Sequence, residues 1–374
     1  MRICSPHVGL SPYSNQGGEV YEREILKHLA SLGAEIEIIL PEGKEYEKGI
    51  PNWRVTEIPV SRGYTWYGSP FLFFNPLRRI WKEKRFDVLR VHSLRNVGTA
   101  AYVFKAWNRL QVPLVSHHHH IEDDEGMIQL VDRFVLNRSD MIITISRFSK
   151  GQLMNRMGIN PEKVDYVYDG IEEKYVPLPP DEQLVDKYGL KGRKVLLFLS
   201  ALHPRKNAGF LLDVFCEIVR LKGDTVRLMV VGGGSELERL KDKAEKLGIA
   251  GKVIFAGYVP EEEKVKYYNL AHCFVFPSKL EGFGLVVGEA MSCAKPVVAS
   301  KTASLPEVVD DGVTGFLSDL DRKEDFVKKI LLLLDDEGLA KKMGIEARRK
   351  VDESFRWPIA AKKVLAIYER LVHA

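Results

Sequence analysis

The sequence predicts an α/β protein of two domains, each built on a parallel sheet with helices on both faces. Short apolar runs of strand length alternate with helical stretches along nearly all of the 374 residues. Such alternation is typical of crossover units, in which a helix joins two parallel strands. A proline-rich stretch, "YVPLPP" at 175–180, interrupts the alternation, and we expect the link between the two domains to begin there.

The composition is that of a globular chain and excludes several other classes. Hydrophobic residues make up 45% and charged residues 28%, which is enough for two sizeable cores. The net charge of +4 is small and the basic residues are interspersed with acidic ones, so we expect no nucleic-acid partner. The four cysteines are widely spaced and lie mostly in apolar runs, as in a reduced cytoplasmic protein without a disulfide framework.

Two features bear on membranes. The chain runs from Met1 straight into a strand-like segment without the pattern of a secretion signal, and no apolar stretch approaches the length of about 18 residues that a span needs. Residues 64–86 mix aromatic and basic side chains and could rest on the inner face of a membrane. A core helix with a charged outer face is the favoured interpretation, because aromatic residues at helical spacing usually pack inward. We therefore expect a cytoplasmic protein with at most a peripheral contact to the membrane.

The first domain begins with a predicted strand at 2–8, a loop, a helix at 18–32 and a second strand at 36–40. Apolar residues at helical spacing define the inner face of the helix. Gly17 and Gly18 stand at the helix start, where they could admit a phosphate or a sugar. A plain tight turn accounts for this glycine pair equally well.

Four more strands are predicted in this domain, and a run of four histidines, 117–120, begins at the end of one of them. Ligands bind at the carboxyl ends of strands in such sheets. Neighbours in an extended segment alternate sides, so the four histidines cannot surround one ion, and we expect no metal there. One of them is expected to face a ligand. The four strands are predicted at 87–93, 113–117, 141–146 and 164–170.

The second domain repeats the alternation of strands and helices. Arg205 and Lys206 follow its first strand at the start of a helix, where a cation is unfavourable unless an anion lies nearby. A glycine loop at 232–234 follows its second strand. The strands of this domain are predicted at 194–200, 226–231, 253–256, 273–276 and 296–300.

Residues 273–300 combine a phosphate-binding loop with two spaced carboxylates. A strand, a loop with Gly282 and Gly284, a helix and a second strand are predicted in succession. The glycines let the backbone approach a ligand, and the amides at the helix start favour a diphosphate. Phosphate would repel Glu281 and Glu289, so these side chains are better placed to accept hydrogen bonds from sugar hydroxyls. Alternatively, the loop is an ordinary α/β connection whose glutamates favour the helix dipole.

This stretch resembles the signature of the family 4 retaining glycosyltransferases, in which seven residues separate two glutamates in the form "EGFGL...EAM". The resemblance continues into "PVVAS" at 296–300 and "LPEVVDDGVTGFL" at 305–317, and weaker similarity covers nearly the whole chain. It implies the GT-B fold, with two Rossmann-like domains whose parallel sheets face an interdomain cleft. We expect an acceptor-side domain at 1–176 and a nucleotide-sugar-binding domain at 177–356, with a C-terminal helix, 357–374, that crosses back onto the first domain.

The resemblance implies a transferase that moves a hexose of the mannose or glucose type with retention of the anomeric configuration. The donor would be a GDP- or UDP-linked sugar, and the acceptor a glycan, a lipid-linked molecule or a small metabolite. No cofactor is implied. No Asp-x-Asp pair follows any of the predicted strands, so we expect the reaction to be independent of metal ions.

The resemblance also implies roles for residues around the donor. Glu289 would hold the ribose hydroxyls and Glu281 the hydroxyls of the donor sugar. Lys206 would neutralise the diphosphate as the glycosidic bond breaks. The family has an arginine five residues before this lysine, where this chain has Ala201, and we expect Arg205 to compensate. The other expected donor contacts are Gly234, Tyr258, Val259, Gly282, Phe283, Gly284 and Leu285.

On the acceptor side, the resemblance implies that Gly17 and Gly18 contact the donor phosphate or the acceptor. The family pattern of a proline, an apolar strand and a histidine assigns the active-site histidine to His119, as a positioning or acid/base group. A register shift of one residue would assign that role to His118 or His120 instead.

Two other interpretations stay open. One is another GT-B chemistry, such as that of a phosphorylase or a nucleotide-sugar epimerase. The other is a non-catalytic nucleotide-sugar-binding protein, which the missing arginine at Ala201 favours. Two further departures, at Ala294 and at Ala303-Ser304, stand where many family members have glycine.

Overall fold

The computed structural model describes residues 1–14, 17–59, 71–92, 94–119 and 127–373. Contacts divide the chain into two compact units. The first unit comprises Met1–Gly170 together with Trp357–Ala374, and the second comprises Ile171–Arg356. The division lies a few residues before the proline-rich stretch.

The first unit contains a parallel sheet of seven strands among the residues that the structure describes. The strand order is β3-β2-β1-β4-β5-β6-β7, and the central strands are buried along their whole length. The strands are β1 (Arg2–Pro6), β2 (Glu35–Pro41), β3 (Trp53–Ile58), β4 (Val88–Val91), β5 (Leu114–His118), β6 (Met141–Thr144) and β7 (Val164–Tyr166). The helices are α1 (Gly17–Ser31), α2 (Phe71–Glu83), α3 (Thr99–Trp107), α4 (Met127–Arg138) and α5 (Arg147–Met157).

The second unit contains a parallel sheet of six strands in the order β10-β9-β8-β11-β12-β13. All of this unit lies within the described part of the chain. Its strands are β8 (Lys194–Leu199), β9 (Val226–Val231), β10 (Val253–Gly257), β11 (Cys273–Phe276), β12 (Val297–Ser300) and β13 (Gly315–Ser318). Its helices are α6 (Glu182–Lys187), α7 (Ala208–Lys222), α8 (Leu237–Lys246), α9 (Lys264–Leu270), α10 (Leu285–Ser292), α11 (Leu305–Val308), α12 (Lys323–Asp335) and α13 (Glu337–Ser354).

The predicted fold class, two Rossmann-like units with parallel sheets, is confirmed. Every predicted strand has a counterpart, but β3 and β13 were missed, and each is an edge strand of its sheet. Strand β3 is only partly buried, and β13 is a four-residue strand that begins with Gly315, so neither carries the continuous apolar pattern of a central strand. Their pairing comes from a neighbouring strand rather than from local sequence.

In each sheet the strand order reverses direction at one point. In the first sheet, β2 and β3 lie on one side of β1, and β4 to β7 follow in order on the other side. The strand order therefore reverses between β1 and β4. The second sheet reverses between β8 and β11 in the same way. At such a point the two following loops diverge to opposite faces of the sheet, and ligands of open α/β proteins bind in the crevice between them.

The C-terminal helix α14 (Trp357–His373) belongs to the first unit, as predicted, and packs against α1. A Cβ atom on Gly170 would lie 2.2 Å from Cδ2 of Trp357, so only glycine allows this close approach. Near the other end of the helix, the Tyr368 hydroxyl is 2.7 Å from His117 Nε2. Both contacts fix the helix to the first unit.

Helix α2 supports the interpretation of a core helix with a charged outer face. Residues 64–70 of the aromatic and basic segment lie outside the described residues. In the remainder, Phe73, Leu77 and Ile80 are buried in the core of the first unit. No helix in the described ranges is long and apolar enough to cross a membrane. All four cysteines are buried, and none forms a disulfide in the described part of the chain.

Candidate active site

Two predicted site residues meet where the strand order of the second sheet reverses. Lys206 ends a short turn after β8, and Glu281 lies in the loop after β11. Lys206 Nζ donates a hydrogen bond to Glu281 Oε1 at 2.6 Å, and both side chains are about nine-tenths buried. Burial lowers the pKa of Lys206, while the charge and hydrogen bond of Glu281 oppose that shift. The contact brings a cation and a carboxylate to the edge of the sheet where ligands bind.

Ser278 orients the Glu281 carboxylate. Its hydroxyl is 2.6 Å from Glu281 Oε1, the same oxygen that Lys206 contacts. The main chain of this loop is tied to the lysine turn, because Lys279 N donates to the Arg205 carbonyl oxygen at 2.8 Å. Two donors thus converge on Oε1, and the carboxylate is fixed by both adjacent loops.

After Glu281, the loop leads into α10, which begins at the same edge of the sheet. Gly284 has a φ of +100°, a left-handed conformation that side chains other than glycine rarely adopt. The Ser304 hydroxyl lies 3.0 Å from the carbonyl oxygen of Glu281 and 3.1 Å from that of Phe283, which fixes the loop. Gly282 and Leu285 are half-buried, and the Phe283 ring is packed in the interior. Val287 N donates to the Gly284 carbonyl oxygen at 2.9 Å, whereas the amides of Leu285 and Val286 have no acceptor within their own helix and can bind an anion.

Glu289 lies inside α10 in a buried polar cluster. Its Oε2 accepts a hydrogen bond from the Tyr268 hydroxyl at 2.6 Å. Burial raises the pKa of Glu289, the nearby Lys264 opposes this effect, and Glu261 adds to it. The site therefore has two carboxylates on one loop and helix, one paired with a lysine and the other held by a phenol.

The other donor-side candidates occupy more varied positions. Gly234 has a φ of +149°, and a Cβ atom there would lie 2.6 Å from the Leu202 carbonyl oxygen, so this glycine allows two loops to approach. Tyr258 is 67% exposed, whereas Val259 is buried. The Arg205 side chain is exposed, and its Nη1 lies 3.5 Å from the Leu280 carbonyl oxygen.

The alanines that stand in place of family glycines keep a glycine-like backbone. Ala294 has a φ of 54° and Ala303 a φ of 50°. For a residue with a Cβ atom, this left-handed conformation costs about 1 to 2 kcal/mol. Ala201, which stands in place of the family's arginine, is exposed.

A second polar cluster lies where the strand order of the first sheet reverses. Glu22 of α1 and Arg90 of β4 form an ion pair in which both side chains are almost completely buried. Arg90 Nη2 donates to Glu22 Oε1 at 2.7 Å, and Nη1 donates to Oε2. Burial opposes ionisation of the carboxyl group, but Arg90 and the neighbouring histidines hold the pKa of Glu22 well below its usual range. The pair is ionised and neutral in sum.

Three histidines surround the Glu22 carboxylate. His119 Nε2 is 3.4 Å from Glu22 Oε1, and His92 Nδ1 is 3.5 Å from the same oxygen. His7 Nε2 is 3.9 Å from Oε2. A Cβ atom on Gly18 would lie 3.4 Å from Cε1 of His92, so the predicted glycine pair and the predicted histidine belong to one cluster. Gly17 is exposed at the first position of α1.

The structure also separates the roles of the neighbouring histidines. His117 is buried between two phenols, with Nδ1 3.1 Å from the Tyr21 hydroxyl and Nε2 2.7 Å from the Tyr368 hydroxyl. Burial lowers the pKa of His117 well below its usual range. His118 is also buried. His120 lies outside the described residues.

Glu22, His92 and His119 each offer one ligand atom, and these atoms lie within 4.8 Å of one another. The geometry could hold a metal ion. However, Arg90 donates to both oxygens of the carboxylate, so a divalent cation would lie beside a buried guanidinium. The arrangement therefore favours the ion pair.

Several members of these two clusters were not predicted from the sequence. They are Glu22, Arg90, His92, Tyr268 and Ser278. A signal existed for Arg90, which stands in the middle of the apolar strand "VLRV". A charge in a buried strand requires a partner, although the strand does not reveal which residue supplies it.

The chain matches two protein families along most of its length. Residues 15–175 match the family described as Glycosyltransferase Family 4, and residues 181–350 match Glycosyl transferases group 1. The chain is 26% identical to N-acetyl-alpha-D-glucosaminyl L-malate synthase of Bacillus anthracis, over 98% of this chain and 96% of that protein. It is 31% identical to the GDP-mannose-dependent alpha-(1-6)-phosphatidylinositol monomannoside mannosyltransferase of Mycolicibacterium smegmatis, over 60% of this chain and 61% of that protein.

Solved structures share the fold over the whole chain. Sucrose-phosphate synthase of Thermosynechococcus elongatus superposes with a TM-score of 0.80 at 19% identity, covering 99% of both chains. Anabaena HepE, solved in complex with UDP and glucose, superposes with a TM-score of 0.78 at 20% identity, again over 99% of both chains.

Proposed function

The chain belongs to the family 4 glycosyltransferases of the GT-B fold, and on that premise we propose that it transfers a hexose of the mannose or glucose type from a GDP- or UDP-linked donor. The transfer retains the anomeric configuration and requires neither a metal ion nor a cofactor. The acceptor is a hydroxyl group of a glycan, a lipid-linked molecule or a small metabolite.

The observation that carries the proposal is the contact between Lys206 and Glu281 where the second sheet reverses its strand order. A solvated surface lysine would not be buried between two loops at this edge of the sheet. The start of α10 lies at the same edge, directly after Gly284. A lysine and helix amides suit a diphosphate, and buried carboxylates suit the hydroxyl groups of a sugar and a ribose.

In the proposed reaction the bond between the anomeric carbon and the diphosphate oxygen breaks, and negative charge grows on the leaving group. Lys206 and the first amides of α10 stabilise that charge, with Arg205 at the rim. Glu281 accepts hydrogen bonds from the donor sugar and Glu289 from the ribose. The acceptor oxygen bonds to the anomeric carbon on the same face, and its proton passes to the departing phosphate oxygen.

The remaining donor contacts in this proposal are made by the main chain and the base-side residues. The main chain contacts the diphosphate at four further positions, which are Gly234, Gly282, Phe283 and Leu285. Tyr258 and Val259 neighbour the base, and the Tyr258 ring, which is 67% exposed, offers a face on which a planar ligand can stack.

In the first unit we assign His119 to the acceptor as a positioning or acid/base group, together with Gly17 and Gly18. The support is that His119 lies at the carboxyl end of β5, beside His92 and Gly18, where α/β sheets bind ligands. The names of two relatives mention L-malate and phosphatidylinositol monomannoside, so both small and lipid-linked acceptors belong in the test.

Peripheral contact with an anionic membrane would depend on the outer face of α2 and the residues after it, since the inner face is in the core. The exposed basic residues there are Arg78, Arg79, Lys82, Lys84 and Arg85. We expect co-sedimentation with vesicles that contain phosphatidylglycerol at low salt, and its loss at high salt. Equal sedimentation with neutral vesicles, or none with either, would refute this contact.

The test of the function is turnover in the presence of EDTA. Purified protein is incubated with GDP- and UDP-linked mannose and glucose and with a panel of hydroxy acids, glycans and polar glycolipids. We expect release of one nucleoside diphosphate that requires an acceptor, a product with the donor's anomeric configuration, and no loss of rate with EDTA. Release of a sugar phosphate would indicate a phosphorylase, and an epimerised donor without an acceptor would indicate an epimerase. Binding without turnover would favour a non-catalytic protein.

A further inference from the structure

We propose that the buried Glu22–Arg90 pair is a positioning device that fixes the orientation and the tautomer of His119. The inference rests on the proposed function for its catalytic consequence, since His119 is assigned there to the acceptor. Whether Glu22 fixes the His119 ring, and which ring nitrogen of His119 carries hydrogen, do not depend on that assignment.

The geometry begins with the two oxygens of Glu22. Arg90 donates to both of them, so the carboxylate cannot rotate without breaking a charge-assisted bond. Oε1 lies 3.4 Å from His119 Nε2 and 3.5 Å from His92 Nδ1. The guanidinium is itself fixed, because its Nη1 lies 3.2 Å from the Ser5 hydroxyl on β1. Strands β1 and β4 thereby determine where one oxygen of a helix residue lies.

An ionised carboxylate can only accept hydrogen bonds, and Glu22 is ionised because its pKa is held well below the usual range. A neutral His119 must therefore carry its hydrogen on Nε2, towards Glu22, and present a lone pair at Nδ1. The Tyr21 ring supports this orientation, since its centroid is 4.1 Å from that of the His119 ring. A histidine oriented in this way accepts a hydrogen bond only at Nδ1, which is the property required of a group that positions the acceptor hydroxyl while its proton passes to the departing phosphate oxygen.

The ion pair is a poor choice for stability alone. Replacing a buried ion pair with apolar residues of similar volume is often neutral or stabilising, whereas removing one partner is strongly destabilising because it leaves an unpaired buried charge. An apolar pair would fill the same space between α1 and β4 but would offer no acceptor to His119. What the ion pair provides, and an apolar pair would not, is therefore a fixed carboxylate that can accept a hydrogen bond from His119.

The experiment uses two double variants that lack the ion pair and differ in one property. E22L/R90M removes both charges and the acceptor, and E22Q/R90M removes both charges but keeps a side-chain carbonyl at position 22. Neither leaves an unpaired buried charge, so we expect both to fold. Glu24→Gln is a matched control on α1, because Glu24 is also buried and contacts Arg23 at 3.0 Å.

The first readout is nitrogen-15 NMR of the histidine rings in the ligand-free full chain, with His119→Gln to assign the resonance. In the parent and in E24Q we expect the hydrogen of neutral His119 on Nε2, and in E22L/R90M a loss of that fixed tautomer. The second readout is turnover, in which we expect the kcat of E22Q/R90M to exceed that of E22L/R90M by about 10- to 100-fold. The dissociation constant for the nucleoside diphosphate should stay unchanged, because the donor residues lie in the other unit.

Equal tautomer populations in the parent and E22L/R90M, or equal kcat values for the two double variants, would overturn the inference. Failure of the proposed function would appear differently, as absence of transfer by the parent with every donor. In that case the NMR comparison still decides whether Glu22 fixes the ring of His119.

Discussion

At the scale of single residues, two glutamates of one loop and helix have different electrostatic environments. Glu281 is bound by a lysine and a serine, whereas Glu289 is buried with a phenol and its pKa is raised. The Lys206 and Ser278 contacts fix the position of the Glu281 carboxylate, which can accept further hydrogen bonds from hydroxyl groups. A carboxyl group with a raised pKa gains its charge only as the pH increases, so ligand binding there should depend on pH.

We predict that affinity for a nucleoside diphosphate rises with pH through the raised pKa of Glu289. Hydrogen bonds from ribose hydroxyls to an ionised carboxylate are stronger than those to its protonated form. Since the folded-state pKa lies above the ordinary value of 4.5, the carboxyl group stays protonated over a range in which a free glutamate would be charged. Calorimetric titrations across pH 4.5 to about 8 would measure this effect.

The same group should affect stability in the opposite direction. A carboxyl group with a raised folded-state pKa contributes stability at low pH that is lost as the pH rises through that pKa. Glu289→Gln should remove the contribution of this group to both pH dependences, because an amide does not titrate in this range. If the variant kept the full pH dependence of nucleotide affinity, another group would be responsible.

The sequence identified individual site residues but not their partners. Lys206 and Glu281 were both predicted, whereas the hydrogen bond between them, which joins residues 75 positions apart, is a property of the sheet. Glu22 and Arg90 are 68 positions apart, and nothing in the helical pattern around Glu22 distinguishes it from a solvent-facing acid. Long-range pairing of charges has no local periodicity, so sequence patterns cannot report it.

At the scale of elements, the junction between Gly284 and α10 sets the direction of the proposed phosphate-binding amides. The left-handed conformation of Gly284 reverses the chain between the Glu281 loop and the helix. A Cβ atom at this position would also lie 3.0 Å from Leu305 Cδ2, so the Leu305 side chain would have to move by a few tenths of an ångström. The junction is therefore sensitive to the smallest possible side chain.

We predict that Gly284→Ala weakens nucleotide binding by about tenfold or more and lowers the free energy of unfolding by about 1 to 2 kcal/mol. The control is Gly251→Ala, because Gly251 has no positive φ and a Cβ atom there would contact nothing within 4 Å. Calorimetric titration and denaturant unfolding of both variants would measure these effects. Unchanged binding by G284A would mean that the amides of α10 do not hold the ligand.

Elements were predictable to the extent that their patterns are local. The buried central strands have continuous apolar runs. The strand at 273–276 was predicted with its observed bounds, and the predicted helix after Gly284 is α10. The edge strand β3 is half-exposed, and β13 is short and begins with a glycine. Such strands are specified by the neighbour that they pair with, which the sequence does not show.

At the scale of the whole molecule, the two units use one plan twice. Each has a parallel sheet that reverses its strand order once, and each gathers buried ionisable residues at that point. We propose that these residues bind a nucleotide sugar in the second unit and orient a histidine in the first. Both units share the fold, so their different roles follow from the charged residues that each unit has at the point where its strand order reverses.

The proposed function requires that the second unit bind a nucleotide-sugar donor through Lys206 and Glu289. The most direct test is calorimetric titration of the full chain with UDP, GDP and ADP in EDTA. It should be repeated with Lys206→Ala and Glu289→Ala, and with Lys279→Ala as a control for loss of a lysine from the same loops. We predict that one nucleotide binds tightly, that both site variants weaken its binding at least tenfold, and that K279A does not. If no nucleotide binds, or if the site variants bind as well as the parent, the donor site lies elsewhere and the account is wrong.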